Sequence, residues 1–202
     1  MIIDPRSLST NELYHLMTSC VVPRPIAFVT SVGAEGIVNA APFSYFNAIS
    51  STPPTIMISV SRRDGVMKDT ARNIHRSREF VVNIVDEQLA EQMNVTSATL
   101  PPDVSEIEAA QLSLLPSIRV KTPRIAESPI HLECVLSQWI EIGDKATDLI
   151  LGEIVHIHVS DEVWEEGRIN LRKLQALGRL SGSDYCRTTD ILSMKRPTSS
   201  GS

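Results

Sequence analysis

Cysteine is scarce in this 202-residue chain, with only Cys20, Cys134 and Cys186. An odd count with no Cys-x-x-Cys spacing argues against a disulfide framework and against structural zinc held by sulfur. Basic charge is not in excess. Nineteen Lys+Arg against 24 Asp+Glu leave a net charge of −5 and a pI near 5.5. Nucleic-acid binders need a basic surface, so none is expected as a partner. No stretch approaches the roughly 20 apolar residues that span a bilayer, so no membrane is expected either. The opening MIIDPRSLST carries an acid at position 4 and reads as no signal peptide, which makes a soluble cytoplasmic protein the expectation. Neither GxGxxG nor GxxxxGK(S/T) occurs, which removes the sequence basis for a Rossmann or P-loop reading. No GxSxG elbow supports a serine hydrolase, no carboxylate pair stands out, and no repeat or coiled coil is seen.

What is present is ordinary for a globular chain: 42% apolar residues, 21% charged, and 21 Gly plus Pro. A chain this long buries roughly 70% of its unfolded surface and needs no staple. One domain over 1–193 is expected, followed by a polar, disordered tail over 194–202 (MKRPTSSGS). Ser9 and Glu12 fit a capping box with Leu8 and Leu13 as its hydrophobic staple. The helix they start puts Leu13, Leu16, Met17 and Cys20 on one face and stops before Pro23-Arg24-Pro25. Strands are read over 26–32, 37–41, 55–61, 79–85, 130–142 and 149–159, with turn chemistry at 33–36, 62–65 and 143–148. A short helix opens at Lys68-Asp69-Thr70. The stretch from Asp86 to Leu115 reads as broken helix, split at Pro101-Pro102, with Leu89, Met93, Ile107, Ala110, Leu112 and Leu115 buried. Leu171, Leu174 and Leu177 mark a last amphipathic piece. Strands joined by hairpin-like turns, with helices as insertions, predict a mainly β, antiparallel barrel or sandwich.

Two segments carry chemistry. From Arg62 to Arg78 six basic residues (62, 63, 68, 72, 76, 78) face only Asp64 and Asp69. The stretch includes a helix start, whose N–H groups favour an anion. One ligand phosphate fits it: Lys68 as a point charge, the Thr70 hydroxyl as donor, and a fork from Arg62 or Arg63. The alternative is that Asp69 or Thr70 merely caps a helix whose charges are solvated. The second segment is Asn39-Ala40-Ala41-Pro42-Phe43-Ser44. Its small residues let backbone approach a flat ligand, and Pro42 places it at a sheet edge or bulge. Its alternative is a kinked strand end packing on Phe43. His156 and His158 share a strand face at metal-like spacing, but a solvent-facing strand explains them too, and no metal is expected.

Blocks of sequence then carry a resemblance. Pro23-Arg-Pro-Ile-Ala-Phe-Val-Thr-Ser31 is followed by Asn39-Ala-Ala-Pro-Phe-Ser-Tyr-Phe46, Pro53-Pro54, Arg62-x-Asp-Gly65-x-x-Lys68-Asp-Thr-x-x-Asn-Ile74 and Glu79-Phe-Val-Val-Asn83. Ser128-Pro-x-x-Leu-Glu-Cys134, Gly152-Glu-x-Val155 and Arg179-Leu-Ser-Gly-Ser-Asp-Tyr185 come later. Together, over about residues 13–188, they resemble the flavin reductase-like domain family. The resemblance implies an FMN-binding split barrel, homodimeric, with the flavin near the subunit interface. It implies that Thr30, Ser31 and the segment Asn39, Ala40, Ala41, Pro42, Phe43, Ser44 line the ring and ribityl chain. Ser59, Ser61, Arg62, Lys68, Asp69 and Thr70 would take the ribityl chain and phosphate. The flavin would carry the chemistry, without a side-chain catalyst. NADH or NADPH is the implied donor, and a monooxygenase or other redox partner the implied acceptor. A flavoredoxin-like electron carrier and a flavin-binding module without turnover are the alternatives. Where family members that reduce free flavin have Gly-x-x-His, this chain reads Gly182-Ser-Asp-Tyr185.

Overall fold

The computed structural model describes residues 1–98, 104–144 and 146–197. Seven strands form one antiparallel sheet: β1 (Ala27–Val32), β2 (Val38–Phe43), β3 (Phe46–Ser51), β4 (Pro54–Ser61), β5 (Glu79–Ile84), β6 (Ile130–Ile142) and β7 (Thr147–Val159). Their spatial order is β2-β1-β5-β6-β7-β4-β3. The helices are α1 (Thr10–Cys20), α2 (Asp69–Ser77), α3 (Ala90–Val95), α4 (Glu106–Ala109) and α5 (Leu171–Leu174). No helix among the described residues is long and apolar enough to cross a membrane.

The strands form because their β-branched and aromatic residues fit a pleated, half-buried surface. β2 and β3 are the two edges of the sheet yet are consecutive in sequence, joined through Ser44 and Tyr45. The edges therefore meet at one corner, where the Ser59 N–H donates to the Tyr45 carbonyl (2.8 Å). Phe43 of β2 shares one buried cluster with Ile56, Ile58 and Val60 of β4 and with Val29, Phe80, Val82, Cys134 and Ile150. Strands from both ends of the order thus bury side chains in the same core, so the sheet is rolled. Among the described residues β2 and β3 do not pair with each other. The barrel is split, as the resemblance implies, and not closed by hydrogen bonds.

Packing inside the roll leaves no slack at Gly152 of β7. A Cβ there would lie 2.5 Å from Phe80 Cζ and 3.2 Å from the Cys134 Cβ. A second cluster (Phe28, Ala40, Val85, Leu89, Met93, Ile107, Leu112, Ile125, Leu177) covers the outer face of β1 and β2 with α3 and α4. Pro42, which removes an N–H from any ladder, sits on the edge strand as its chemistry requires.

Several sequence expectations are amended. β3 was not anticipated, because Asn47, Ser50 and Ser51 are polar and nearly the whole strand is exposed. Among the described residues of the stretch 86–115, α3 and α4 are the α-helical parts, and Leu114–Leu115 pairs instead with Arg124–Ile125 as a short ribbon. That leaves Leu115 40% exposed, while Leu89, Met93, Ile107, Ala110 and Leu112 are buried. The capping box of α1 is formed, with Ser9 N–H on Glu12 Oε2 (2.9 Å) and Glu12 N–H on Ser9 Oγ (3.3 Å). Its apolar face is shallow, however: Met17 and Cys20 are exposed and Thr18 alone is buried. Pro101-Pro102 lies outside the described residues, as does the tail beyond 197; residues 191–197 have no regular secondary structure.

Candidate functional site

The Arg62–Arg78 stretch is where the fold sorts charges that sequence could only count. Arg62 is committed to the sheet. Its guanidinium reaches Asp148 Oδ1 (2.5 Å) and Oδ2 (2.9 Å) and Glu141 Oε1 (2.8 Å), with 5% of the side chain exposed and Asp148 fully buried. These carboxylates hold it well above the usual arginine range, Asp148 first and then Glu141. Arg72 pairs with Asp69, and Arg76 donates to the Val32 carbonyl (2.9 Å). Arg63 and Lys68 are the cations of this stretch that line a cavity of about 480 Å3. That volume lies within the roughly 300–1,000 Å3 of small-molecule and cofactor sites.

The cavity is lined by Arg63, Asp64, Lys68, Asp69 and Thr70 and by Asn39, Ala41, Pro42 and Phe43 of β2, with Val66, Met67, Thr96, Ser97 and Glu106 completing its wall. The tight turn Arg63-Asp64-Gly65-Val66 presents the Arg63 side; Asp64 and Gly65 both have positive φ (50° and 76°). Lys68 keeps much of its surface in water. Even so, surrounding protein and then the Arg63 charge hold its ammonium below the usual lysine pKa. Lys68 is also the N-cap of α2 and makes no side-chain cap bond. Neither Asp69 nor Thr70 is the N-cap, and among the described residues no side chain is seen to accept from the first N–H groups of α2.

Behind the cavity lies a buried polar network. Thr70 Oγ1 donates to Asn39 Oδ1 (2.8 Å), Ser31 Oγ lies 3.4 Å from the same oxygen, and Asn73 Nδ2 donates to Ser31 Oγ (3.2 Å). Asn39 Nδ2 donates to Glu106 Oε1 (2.8 Å), and the Ala40 N–H points to Glu106 Oε2 (3.4 Å). The network ties α2 and α4 to β2 and fixes the cavity's shape. It also means that the Asn39 amide and the Thr70 proton are spent on protein partners.

The sequence-derived site residues thus divide. Asn39, Ala41, Pro42, Phe43, Lys68, Asp69 and Thr70 line the cavity together. Ser31 and Ala40 are buried one layer behind it. Thr30 is turned away, donating to the Pro123 carbonyl (2.7 Å). Ser59 and Ser61 belong to β4 and do not line the cavity, and Ser44 lines a smaller neighbouring one. Arg63 lines the cavity, whereas Arg62 is held by Asp148 and Glu141. Glu106 and the Thr96–Ala98 wall were not identified from sequence, since nothing in their local pattern distinguishes them from a helical surface. Among the described residues no group of His, Cys, Asp and Glu could hold a metal. His158 bonds Glu133 Oε1 (2.5 Å), so it does not sit on a merely solvent-facing surface.

Comparison with known proteins identifies relatives of the chain and of its fold. The protein is 46% identical over 203 residues to an uncharacterised protein of Halalkalibacterium halodurans, covering 98% of this chain and 97% of that one. The structure of nitrilotriacetate monooxygenase component B from Bacillus cereus superposes with a TM-score of 0.94 at 40% identity, covering 96% and 98% of the two chains. That of 2-nitrobenzoate 2-nitroreductase from Pseudomonas fluorescens gives 0.91 at 39% identity, covering 100% and 99%. A model of the flavin reductase-like domain matches residues 17–174. With that match, the split barrel and its relatives in oxidoreductase systems, the chain belongs to the flavin reductase-like domain family.

Proposed function

We propose that this protein is an FMN-dependent oxidoreductase of the flavin reductase type, taking electrons from NADH or NADPH. The observation that carries the reading is Lys68, which lines the 480 Å3 cavity together with Arg63 and stands at the N-cap of α2 without a side-chain cap bond. A phosphate monoester is the anion this donor set fits: two cations and free helix N–H groups accept its charge and its oxygens. From there to the Ala41-Pro42-Phe43 edge the cavity offers small side chains and unpaired edge backbone, suited to a flat ring. FMN has both parts, and when bound it supplies the two-electron chemistry.

The chain's own residues then bind and orient. Lys68 and Arg63 hold the phosphate. The Asn39, Thr70 and Glu106 bonds keep α2 and α4 fixed against β2, so that the phosphate end and the ring end stay in register. At the other side of the cavity the small side chains of Ala41 and Pro42, with Phe43, would let a flat ring lie close to the backbone of the β2 edge.

The name of the Bacillus cereus relative, a component of a monooxygenase, supports passage of electrons to a separate redox partner. Assembly as a homodimer is part of the same reading. β3 is a free edge with Ile49 half exposed, and Met17 of α1 and Val21 just after it are exposed too. A second copy would cover such an edge. The test is direct: the purified protein binds FMN and turns yellow, and NADH or NADPH bleaches it anaerobically. Failure to bind FMN at micromolar concentration would sink the reading. Bleaching by a reduced protein donor alone would select the electron-carrier alternative.

A further inference from the structure

A second cavity of about 210 Å3 adjoins the first, sharing Pro42, Phe43 and Ser97 with it. Tyr14, Ile26, Met93 and Tyr185 line it together with the polar side chains of Ser44, Asn94 and Ser97, and Arg179 supplies its one cation. The guanidinium of Arg179 stacks over the Tyr185 ring, 4.4 Å from the centroid, and donates from one Nη to the Gly182 carbonyl. Among the described residues no carboxylate lies within ion-pair distance of it. In a chain with 24 acids to 19 bases, a half-buried arginine without an acid is an unfilled position. Stacking and one backbone bond fix the plane of the guanidinium while leaving most of its five donors for a ligand.

This cavity is also held together deliberately. Arg24 is 5% exposed and among the described residues has no carboxylate partner, and its guanidinium bonds the carbonyls of Thr18 (2.6 Å), Val21 (2.7 Å) and Leu180 (2.8 Å). Its Nε lies 3.4 Å from Ser44 Oγ, and its backbone pairs with that of Arg179 (3.0 and 2.8 Å). One side chain thereby joins the end of α1, the end of β2 and the hairpin that carries Arg179 and Tyr185, which are three of the cavity's walls.

We infer that this cavity is a binding subsite for a small planar aromatic carboxylate, with its ring among Tyr14, Phe43 and Tyr185 and its carboxylate on Arg179. A volume near 210 Å3 admits a single substituted ring. A guanidinium fork matches a carboxylate in two parallel bonds, which a neutral amide cannot reproduce. The inference rests on the proposed flavin site only for the consequence that such a ligand would lie beside the flavin.

The test uses 4-fluorobenzoate and 4-fluorobenzamide, titrated into the flavin-free protein and followed by 19F NMR. The acid should bind at least tenfold tighter than the amide. Arg179→Gln should weaken the acid by on the order of ten- to a hundredfold, Arg179→Lys should recover part of the loss, and FMN affinity should change less than about twofold in both. Equal affinity for acid and amide, or an unchanged acid affinity in Arg179→Gln, overturns the inference. Because this titration needs no flavin, it stands apart from the FMN reading. In flavin-loaded protein the added benzoate should shift the flavin absorbance band, and binding without any shift would refute adjacency to the flavin.

Discussion

Replacing Lys68 by alanine removes the cation nearest the start of α2, and its effect should depend on whether the ligand carries a phosphate. Hydrogen bonds to a charged group contribute about 1.5–3 kcal/mol, whereas exposed ion pairs contribute about 0–1 kcal/mol. Lys68 lies between these cases, exposed by surface yet crowded enough that burial and then Arg63 lower its pKa. A loss of about 1.5 kcal/mol, or roughly tenfold in affinity, is therefore expected for FMN. Riboflavin, which has no phosphate, should bind the variant and the parent alike. Quenching of flavin fluorescence, titrated with both ligands at fixed ionic strength, measures the two ratios. The pH dependence adds a second check. Because the free protein holds Lys68 below its usual value, FMN affinity should decline with rising pH before an ordinary lysine would titrate, and this decline should vanish in the variant. Equal losses for FMN and riboflavin, or no loss for either, would refute the placement of a phosphate at Lys68.

Arg62→Ala should act oppositely, lowering the thermal midpoint by leaving buried Asp148 unpaired while changing FMN affinity less than about twofold; a selective loss of FMN would return Arg62 to the site. Gly152→Ala should destabilise the fold by about 1–3 kcal/mol, since its methyl would meet Phe80 Cζ at 2.5 Å, and urea titration reads the shift. Acid should weaken the fold in two stages. Burial, outweighing the bond to the Ile125 carbonyl, lowers His131 to about 4. The unfolded chain therefore takes up a proton that the fold refuses as pH falls from about 6.5 toward 4. Burial raises Glu133, but the bond from His158 and the N–H groups of Ile118, Arg119 and Val120 outweigh it and bring it to about 2. Its stabilisation is present above about 4.5 and lost below. Urea midpoints measured from pH 7 to 3 should fall throughout, and Glu133→Gln should flatten the lower part; a level profile would contradict both assignments.

Much of the barrel was legible because periodicity and turn chemistry are local. Ile130–Ile142 could be bounded from its own residues, and β1, β4 and β5 to within a residue or two. β3 was hidden because an exposed edge strand needs no apolar alternation, and its strand character comes from pairing with β4. The choice between Arg62 and Arg63 was equally invisible. Asp148, which claims Arg62, lies 86 residues away in sequence. Charge counting located the anion-binding stretch but could not assign its members, since neutralisation depends on neighbours across the sheet. Glu106 was missed for the same reason: its partners Asn39 and Ala40 are on β2, 67 and 66 residues earlier.

The strand order has a consequence for how the chain is made. β7 lies between β6 and β4 in the sheet but is the last of the seven to be synthesised. Until it emerges, the sheet exists as two fragments, β2-β1-β5-β6 and the β3–β4 hairpin, linked only by the Ser44-Tyr45 corner and by α2. At about 5–20 residues per second, the roughly hundred residues from the end of β4 to the end of β7 take on the order of 5–20 s to translate. For that interval β4 lacks the strand that pairs with it on the side away from β3, and that edge is an open template. A ribosome-bound chain ending at residue 146 should be cut by protease within 46–61, and protection there would show that the hairpin finds another partner before β7 arrives.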